Sequence, residues 1–92
     1  MINYRIFETD NFAKRLNKID NKNKVIVLNK LHLNVFPQLK EQPYFGNNIK
    51  KLKNYNPETW RYRIGNFRLF YEINENEKVV YIIDISTRQN AY

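Results

Sequence analysis

The spacing of hydrophobic and polar positions changes once along the chain, near residue 49. Before that point, apolar residues mostly recur every three or four positions, which indicates helices. After it, apolar and polar residues alternate at every second position, which indicates strands. A short alternating stretch from Ile2 to Ile6 also predicts a strand at the start of the chain.

The first predicted helix follows that strand. Phe12, Leu16 and Ile19 fall on one helical face, with spacings of four and three residues. Thr9 and Asp10 stand just before them, and the side chain of either residue can cap the first turn. A helix over roughly residues 10–19 is therefore expected.

The second predicted helix begins near residue 20, where Asp20 or Asn21 can serve as the cap. The run at residues 25–28 would also suit a strand, but the three-to-four spacing continues to Phe36 and favours a helix. Pro37 is expected to end it. The residues that define its buried face are Val25, Leu28, Leu31 and Val35.

Four strands are predicted in the rest of the chain, at residues 49–53, 60–64, 67–73 and 79–86. The element order is then β-α-α-β-β-β-β. This order predicts an α+β fold, in which an N-terminal strand and a two-helix hairpin pack on a mostly antiparallel sheet of four to five strands. A chain of 92 residues forms one domain, spanning residues 1–92.

The turn at residues 65–66 fixes the register of one hairpin. Its sequence, Gly-Asn, is typical of a two-residue hairpin loop. Arg63 then lies opposite Arg68, and Arg61 lies opposite Phe70. The other face is the predicted core and carries Trp60, Tyr62, Ile64, Phe67, Leu69 and Tyr71.

The opposed arginines suggest an anion site. Like charges directly opposite on a sheet are unfavourable by about 0.2–1 kcal/mol, and a phosphate between Arg63 and Arg68 would remove that penalty. Phe70 is either buried by a neighbouring element or open to stack on a base. The alternative is a solvated basic face without a ligand. Further candidate RNA or phosphate contacts are Lys50, Lys51 and Lys53.

The amino-acid composition narrows the classes of molecule that the protein can bind. The chain has 16 Lys and Arg against 9 Asp and Glu, a net charge of +7, which favours an anionic partner such as nucleic acid or an acidic protein. It has no cysteine, no apolar run of membrane-spanning length and no cluster with metal-ligand spacing. We therefore expect a cytoplasmic protein without a metal or cofactor. The single histidine, His32, is expected to be packed or solvent-facing on the second helix.

Three stretches carry a family pattern. Residues 49–54 read IKKLKN, residues 60–73 read WRYRIGNFRLFYEI and residues 79–92 read VVYIIDISTRQNAY. This half of the chain resembles the RelE/ParE-type toxins of bacterial type II toxin–antitoxin systems, which often read K-L-K/R, R-x-R-x-G-x-[FY]-R-x-x-Y and R-x-x-A-Y. The first half is similar only in the order and length of its elements. The resemblance implies a compact sheet against a helical hairpin, with a basic groove.

The resemblance, taken to the RelE branch, implies a metal-independent endoribonuclease that cleaves mRNA in the ribosomal A site. The substrate's own 2′-OH would be the nucleophile. Arg68 corresponds to the family's phosphate-binding arginine, Arg88 to its catalytic C-terminal arginine and Tyr92 to its C-terminal tyrosine, although the spacing of the last differs. Arg61 and Arg63 stand where enterobacterial members carry two catalytic lysines. The implied protein partner is a cognate antitoxin, acidic and co-encoded.

Because Arg61 and Arg63 replace the two lysines, the sequence does not decide which molecule the protein acts on. A lysine with a depressed pKa can act as a base, whereas an arginine stays protonated. The base is then another lysine, the Tyr92 hydroxyl or a ribosomal group. The pattern is compatible with the nuclease, with a ParE-type inhibitor that binds DNA gyrase, and with a non-toxic RNA- or antitoxin-binding protein. Arg88 together with Tyr92 favours the nuclease.

Overall fold

A mixed β-sheet with helices on one face forms the fold. The structure is a computed structural model that describes residues 3–87. A π-helical turn at Leu31–Val35 joins the second and third helices. The elements are β1 (Arg5–Glu8), α1 (Asp10–Asn17), α2 (Asn21–Lys30), α3 (Phe36–Glu41), β2 (Ile49–Lys51), β3 (Trp60–Ile64), β4 (Phe67–Asn74) and β5 (Val79–Thr87).

The strands lie in the order β1-β5-β4-β3-β2. β1 runs parallel to β5, and the other neighbours are antiparallel. The α+β class and the predicted order of elements are therefore confirmed, with α2, the π turn and α3 forming one interrupted second helix. Within residues 3–87, no helix is long and apolar enough to cross a bilayer.

The first strand lies later in the chain than its pattern suggested. Tyr4 precedes it, and the Tyr4 N–H donates to the carbonyl of Lys40 at 3.0 Å. Pairing with β5 begins at Arg5, which lies opposite Val79, the first residue of β5. Ile2 lies outside the described residues.

Both helix starts are capped by side chains that the sequence offered. The Thr9 hydroxyl accepts from the Phe12 N–H at 3.3 Å and donates to the carbonyl of Ile82 at 2.7 Å, which ties α1 to β5. The Asp20 carboxylate accepts from the Asn23 N–H at 3.2 Å at the start of α2. Each cap satisfies a backbone donor that has no partner inside its helix.

Pro37 does not end the second helix, and that prediction is wrong. In the π turn before it, the Phe36 N–H donates to the Leu31 carbonyl five residues back. The wider turn changes the carbonyl spacing that a proline ring clashes with in a regular α-helix. Pro37 lies in the first turn of α3, where a missing N–H costs little. The helical segment therefore continues to Glu41.

The predicted buried face of the second helix is confirmed at Leu31 and Val35, and Leu28 is half-buried, but Val25 is not buried. Val25 is 58% exposed, whereas Val27 is 1% exposed. The buried positions Val27, Leu31, Val35 and Leu39 recur in steps of four, a spacing wider than the 3.6-residue α-helical turn that the π turn at Leu31–Val35 accommodates. The side chains from α1 through α3 that fill the core against the sheet are Phe12, Val27, Leu31, Val35, Phe36 and Leu39.

Candidate functional site

The β3–β4 hairpin positions the candidate site. Gly65 in its turn has a φ of +56°, which glycine adopts without steric penalty. The strands pair Arg63 with Arg68 and Arg61 with Phe70, so the predicted register is confirmed.

The three hairpin arginines lie on the sheet face turned away from the helices. Tyr62, Ile64 and Leu69 alternate with them along the strands and belong to the hydrophobic core. We use the term arginine face for the side chains of Arg61, Arg63 and Arg68. Strand pairing holds the backbone positions of the three arginines.

Neighbouring strands extend the arginine face on both sides. β2 places Lys50 opposite Arg61. On the other side, β5 places Ser86 opposite Arg68 and Asp84 opposite Phe70. Two cross-strand rows result. The first contains Asn48, Arg63, Arg68 and Ser86, and the second contains Lys50, Arg61, Phe70 and Asp84.

The arginines act on one another electrostatically. Burial lowers the pKa of Arg61, and the positive charges of Arg68 and Arg63 lower it further. The Nε atom of Arg61 is buried and has no hydrogen-bond partner among residues 3–87. A half-buried guanidinium with an unused donor and two like-charged neighbours is stabilised by an anion that accepts from all three.

The ion pairs within residues 3–87 use other cations. Asp84 accepts from Arg15 Nε at 3.0 Å, Glu58 pairs with Lys51 at 2.8 Å, and Glu75 pairs with Lys78. Across residues 3–87, no salt bridge involves Arg61, Arg63 or Arg68. No carboxylate of residues 3–87 therefore forms a salt bridge with the opposed arginines.

The three candidate lysines occupy different places. Lys50 lies in the row of Arg61 and extends the arginine face. Lys51 is paired with Trp60 in register, contacts its ring at 5.8 Å and forms the ion pair with Glu58. Lys53 follows β2 and is exposed in the loop before β3. The structure thus brings one of the three into the arginine rows.

Phe70 lies on the arginine face but is only 2% exposed. Phe70 lies between Arg61 and Asp84 in its cross-strand row, and its ring offers little open surface for a base to stack on. Direct contact between this ring and RNA stays a prediction.

Two other candidates, Arg88 and Tyr92, lie outside the described residues. His32 is exposed on the π turn, where the centroid of its ring lies 5.7 Å from that of Phe36 in a T-shaped arrangement. Over residues 3–87, no group of three His, Asp or Glu side chains is arranged to hold a metal ion.

Ser86 is a site residue that the sequence pattern missed. A regular hairpin continuing from the Asn74–Val79 pair would set Ile85 opposite Arg68. A register shift between Phe70 and Tyr71 moves Ser86 into that position instead. The nearest signal in the sequence was the pair of hydroxyl residues, Ser86 and Thr87, at the end of an otherwise apolar strand.

A family model links the chain to toxins. The model described as "ParE toxin of type II toxin-antitoxin system, parDE" matches residues 6–92. No curated protein matches the chain in sequence.

Solved structures show the same fold. The RelE–RelB complex of the archaeon Pyrococcus horikoshii is similar with a TM-score of 0.71 at 22% identity, covering 98% of this chain and 100% of that one. The toxin–antitoxin complex RelBE2 of Mycobacterium tuberculosis gives 0.74 at 23%, covering 95% and 100%. The isolated RelE toxin of E. coli gives 0.65 at 20%, covering 91% and 83%.

Proposed function

This chain belongs to the ParE toxin family of type II toxin–antitoxin systems, and we propose that it acts as a ribosome-dependent mRNA endoribonuclease. One observation carries the proposal: Arg63 and Arg68 face each other across the hairpin, beside Arg61, without a carboxylate partner among residues 3–87. The fold shared with RelE structures supports it.

The chemistry requires stabilisation of charge on phosphorus. The 2′-OH of the RNA attacks the neighbouring phosphorus, the bond to the 5′-oxygen of the next nucleotide breaks, and a 2′,3′-cyclic phosphate and a 5′-OH result. Negative charge grows on the phosphoryl oxygens in the transition state, where Arg61, Arg63 and Arg68 donate hydrogen bonds. Arginine stays protonated, so the proton of the 2′-OH leaves to a group outside the arginine face, and the departing 5′-oxygen takes up a proton from the solvent.

A co-encoded antitoxin of acidic character completes this proposal. The RelE structures from Pyrococcus horikoshii and Mycobacterium tuberculosis are complexes with antitoxins. The net charge of +7 on this chain is complementary to an acidic protein. The proposed site of action, the ribosome, places the protein in the cytoplasm.

The test is inducible expression of wild-type and Arg68→Ala chains, with primer extension on cellular transcripts. We expect new 5′ ends within coding frames for the wild type, and a cleavage rate about 10²–10³-fold lower for the variant, because it lacks one transition-state donor. Arg5→Ala is the matched control, since Arg5 is an exposed arginine on the far edge strand. Growth arrest without new transcript ends would contradict the nuclease.

Inhibition of DNA gyrase is the second candidate function. Two observations favour it: the matching family model is that of the ParE toxin, and arginines occupy positions 61 and 63, so neither can act as a base. A supercoiling assay with purified gyrase separates the two candidates. Inhibition at stoichiometric amounts of toxin, with cellular mRNA left intact, would establish the inhibitor and exclude the nuclease.

A further inference from the structure

Ser86 lies on the same side of the sheet as the arginine face. β5 places it directly opposite Arg68, and the side chains of two directly opposed residues project from the same side of a sheet. Within this row, Arg63 borders Arg68 on one side and Ser86 borders it on the other. The Cβ atoms of an opposed pair are about 4.5–5.5 Å apart, so the serine hydroxyl lies near the start of the Arg68 side chain.

The Ser86 hydroxyl has no hydrogen-bond partner in the part of the chain that the structure describes. Ser86 is only 8% exposed, and its Oγ atom is buried without a hydrogen bond within residues 3–87. Most buried polar side-chain atoms are hydrogen-bonded, because an unpaired one gives up its hydration without compensation. The hydroxyl therefore lowers the stability of the free protein, and packing alone does not explain its presence.

A second unpaired donor lies on the same side of the sheet. Three buried side-chain polar atoms within residues 3–87 lack a hydrogen-bond partner, namely Arg61 Nε, Ser86 Oγ and Thr87 Oγ1. Thr87 lies opposite Phe67, which packs against the core on the helix side. The other two atoms belong to β3 and β5, on either side of β4, where the arginines gather. A single anionic chain bound there accounts for both.

The irregular register of β4 and β5 is what brings a hydroxyl to this position. The shift between Phe70 and Tyr71 sets Ser86, and not Ile85, opposite Arg68. An isoleucine in that position would leave no polar side-chain atom unpaired. Bulges often lie next to active sites, where they redirect a side chain. Here the shift exchanges an apolar side chain for a hydrogen-bond donor beside Arg68.

We propose that the Ser86 hydroxyl donates a hydrogen bond to a phosphate oxygen of RNA that Arg68 also holds. This inference rests on the proposed function, since it assigns a further binding residue to the same site. The hydroxyl is uncharged, so it adds a directed hydrogen bond without adding to the repulsion among the arginines. Binding requires the long arginine side chains to turn toward the phosphate and open a path to the hydroxyl.

A phosphodiester fits this pair of donors better than a carboxylate of an acidic protein. A carboxylate that forms two parallel hydrogen bonds with a guanidinium uses both of its oxygens. A phosphodiester has two bridging oxygens in addition to the two that such a pair occupies. It also repeats its charge at every nucleotide, which matches cations that are spread over two cross-strand rows.

The experiment measures the affinity of a single-stranded RNA oligonucleotide for the full chain and for Ser86→Ala at several salt concentrations. We expect binding to be about two- to tenfold weaker in the variant, the range for one uncharged hydrogen bond. The slope of log affinity against log salt should not change, because no charge is removed. Wild-type affinity in Ser86→Ala, or a reduced slope, would overturn the proposal.

Thr87→Val is the matched control. It removes the neighbouring unpaired hydroxyl, which belongs to the opposite side of the strand, with little change of volume. RNA should bind this variant as tightly as the wild type. An equal loss of affinity in Thr87→Val and Ser86→Ala would show a general effect on the end of β5 and would overturn the proposal.

The stability of the free protein separates an RNA contact from a structural role for Ser86. Because Ser86→Ala removes an unpaired buried hydroxyl, its urea midpoint should equal or exceed that of the wild type. A lower midpoint would mean that the serine supports the sheet, and the proposal would be wrong. A polyglutamate peptide tests the other class of ligand. If Ser86→Ala weakens peptide binding as much as RNA binding, the assignment to a phosphate is overturned.

Failure of this proposal is distinguishable from failure of the nuclease, because RNA binding needs no cleavage. Transcript cleavage by the wild type, together with unchanged RNA affinity in Ser86→Ala, overturns the serine contact alone. Weaker RNA binding in Ser86→Ala, without transcript cleavage by the wild type, overturns the nuclease alone.

Discussion

Arg63 and Arg68 occupy opposite positions in the β3–β4 ladder, and the salt bridges within residues 3–87 involve other cations. Tyr62 and Leu69, the next pair along, are packed in the core and hold this register. The repulsion is therefore imposed by the fold and is not relieved by a shift of one residue, which would expose the core face.

Relief of this repulsion is measurable. Replacing exposed Arg63 with threonine removes one of the two like charges and introduces a residue that suits a strand. We expect the free energy of unfolding to stay level or rise by about 0.2–1 kcal/mol, with transcript cleavage reduced. Urea denaturation of wild type and variant gives the first quantity, and primer extension gives the second.

A loss of more than about 1 kcal/mol in Arg63→Thr would show that this arginine stabilises the fold. The account of an externally neutralised pair would then be wrong. Arg5→Thr on β1 is the control for the change of residue type, because Arg5 is exposed and lies outside the arginine face.

Elements that depend on local signals were predictable from the sequence, and those that depend on irregular backbone were not. The caps at Thr9 and Asp20 and the hairpin turn at residues 65–66 use short-range chemistry and appear as expected. The π turn before Pro37 and the register shift in β4–β5 each displace the pattern by one residue. No periodicity rule reports such a displacement, so the end of the second helix and the position of Ser86 were missed.

One cluster joins three separate segments at the end of the sheet far from the arginine face. The Glu75 carboxylate, in the β4–β5 turn, accepts from the hydroxyls of Tyr4 and Tyr44, each at 2.7 Å, and pairs with Lys78. The bonds from Lys78, Tyr44 and Tyr4, in that order of effect, lower the pKa of Glu75 from 4.5 to about 2.

Acid should loosen this cluster. A carboxyl group with a lowered pKa contributes stability that is present above its unfolded pKa and is lost as the pH falls through the folded value. The thermal unfolding midpoint should therefore fall between about pH 4.5 and 2, and less steeply in Glu75→Gln. Because Glu75 is exposed, we expect a modest effect. An NMR titration that gives Glu75 an ordinary pKa would contradict the cluster.

Charge is segregated over the whole molecule. The arginine face lies near the β3–β4 turn, whereas Glu75 and Glu77 lie at the opposite end, in the β4–β5 turn. A net charge of +7 distributed in this way attracts an anionic chain and orients it before contact. This long-range effect weakens as salt is added.

Much of the whole-molecule architecture followed from the pattern of residues, because the sheet face alternates and the helices repeat regularly. The parallel pairing of β1 with β5 did not, since neither strand carries a signal for a partner 74 residues away. The same limit applies to the cavity that Ile19, Phe67 and Thr87 help to line. Its walls come from α1, the α1–α2 turn, the start of β4 and the end of β5. Residues so far apart in sequence meet only through the tertiary fold.

The most direct test of the central claim, that the arginine face binds phosphates, is the salt dependence of RNA binding. With contacts from Arg61, Arg63, Arg68 and Lys50, the logarithm of the binding constant for single-stranded RNA should fall against the logarithm of salt concentration with a slope of about −3, and Arg63→Ala should bring it to about −2. A flat response, or the same slope in Arg63→Ala, would contradict the claim.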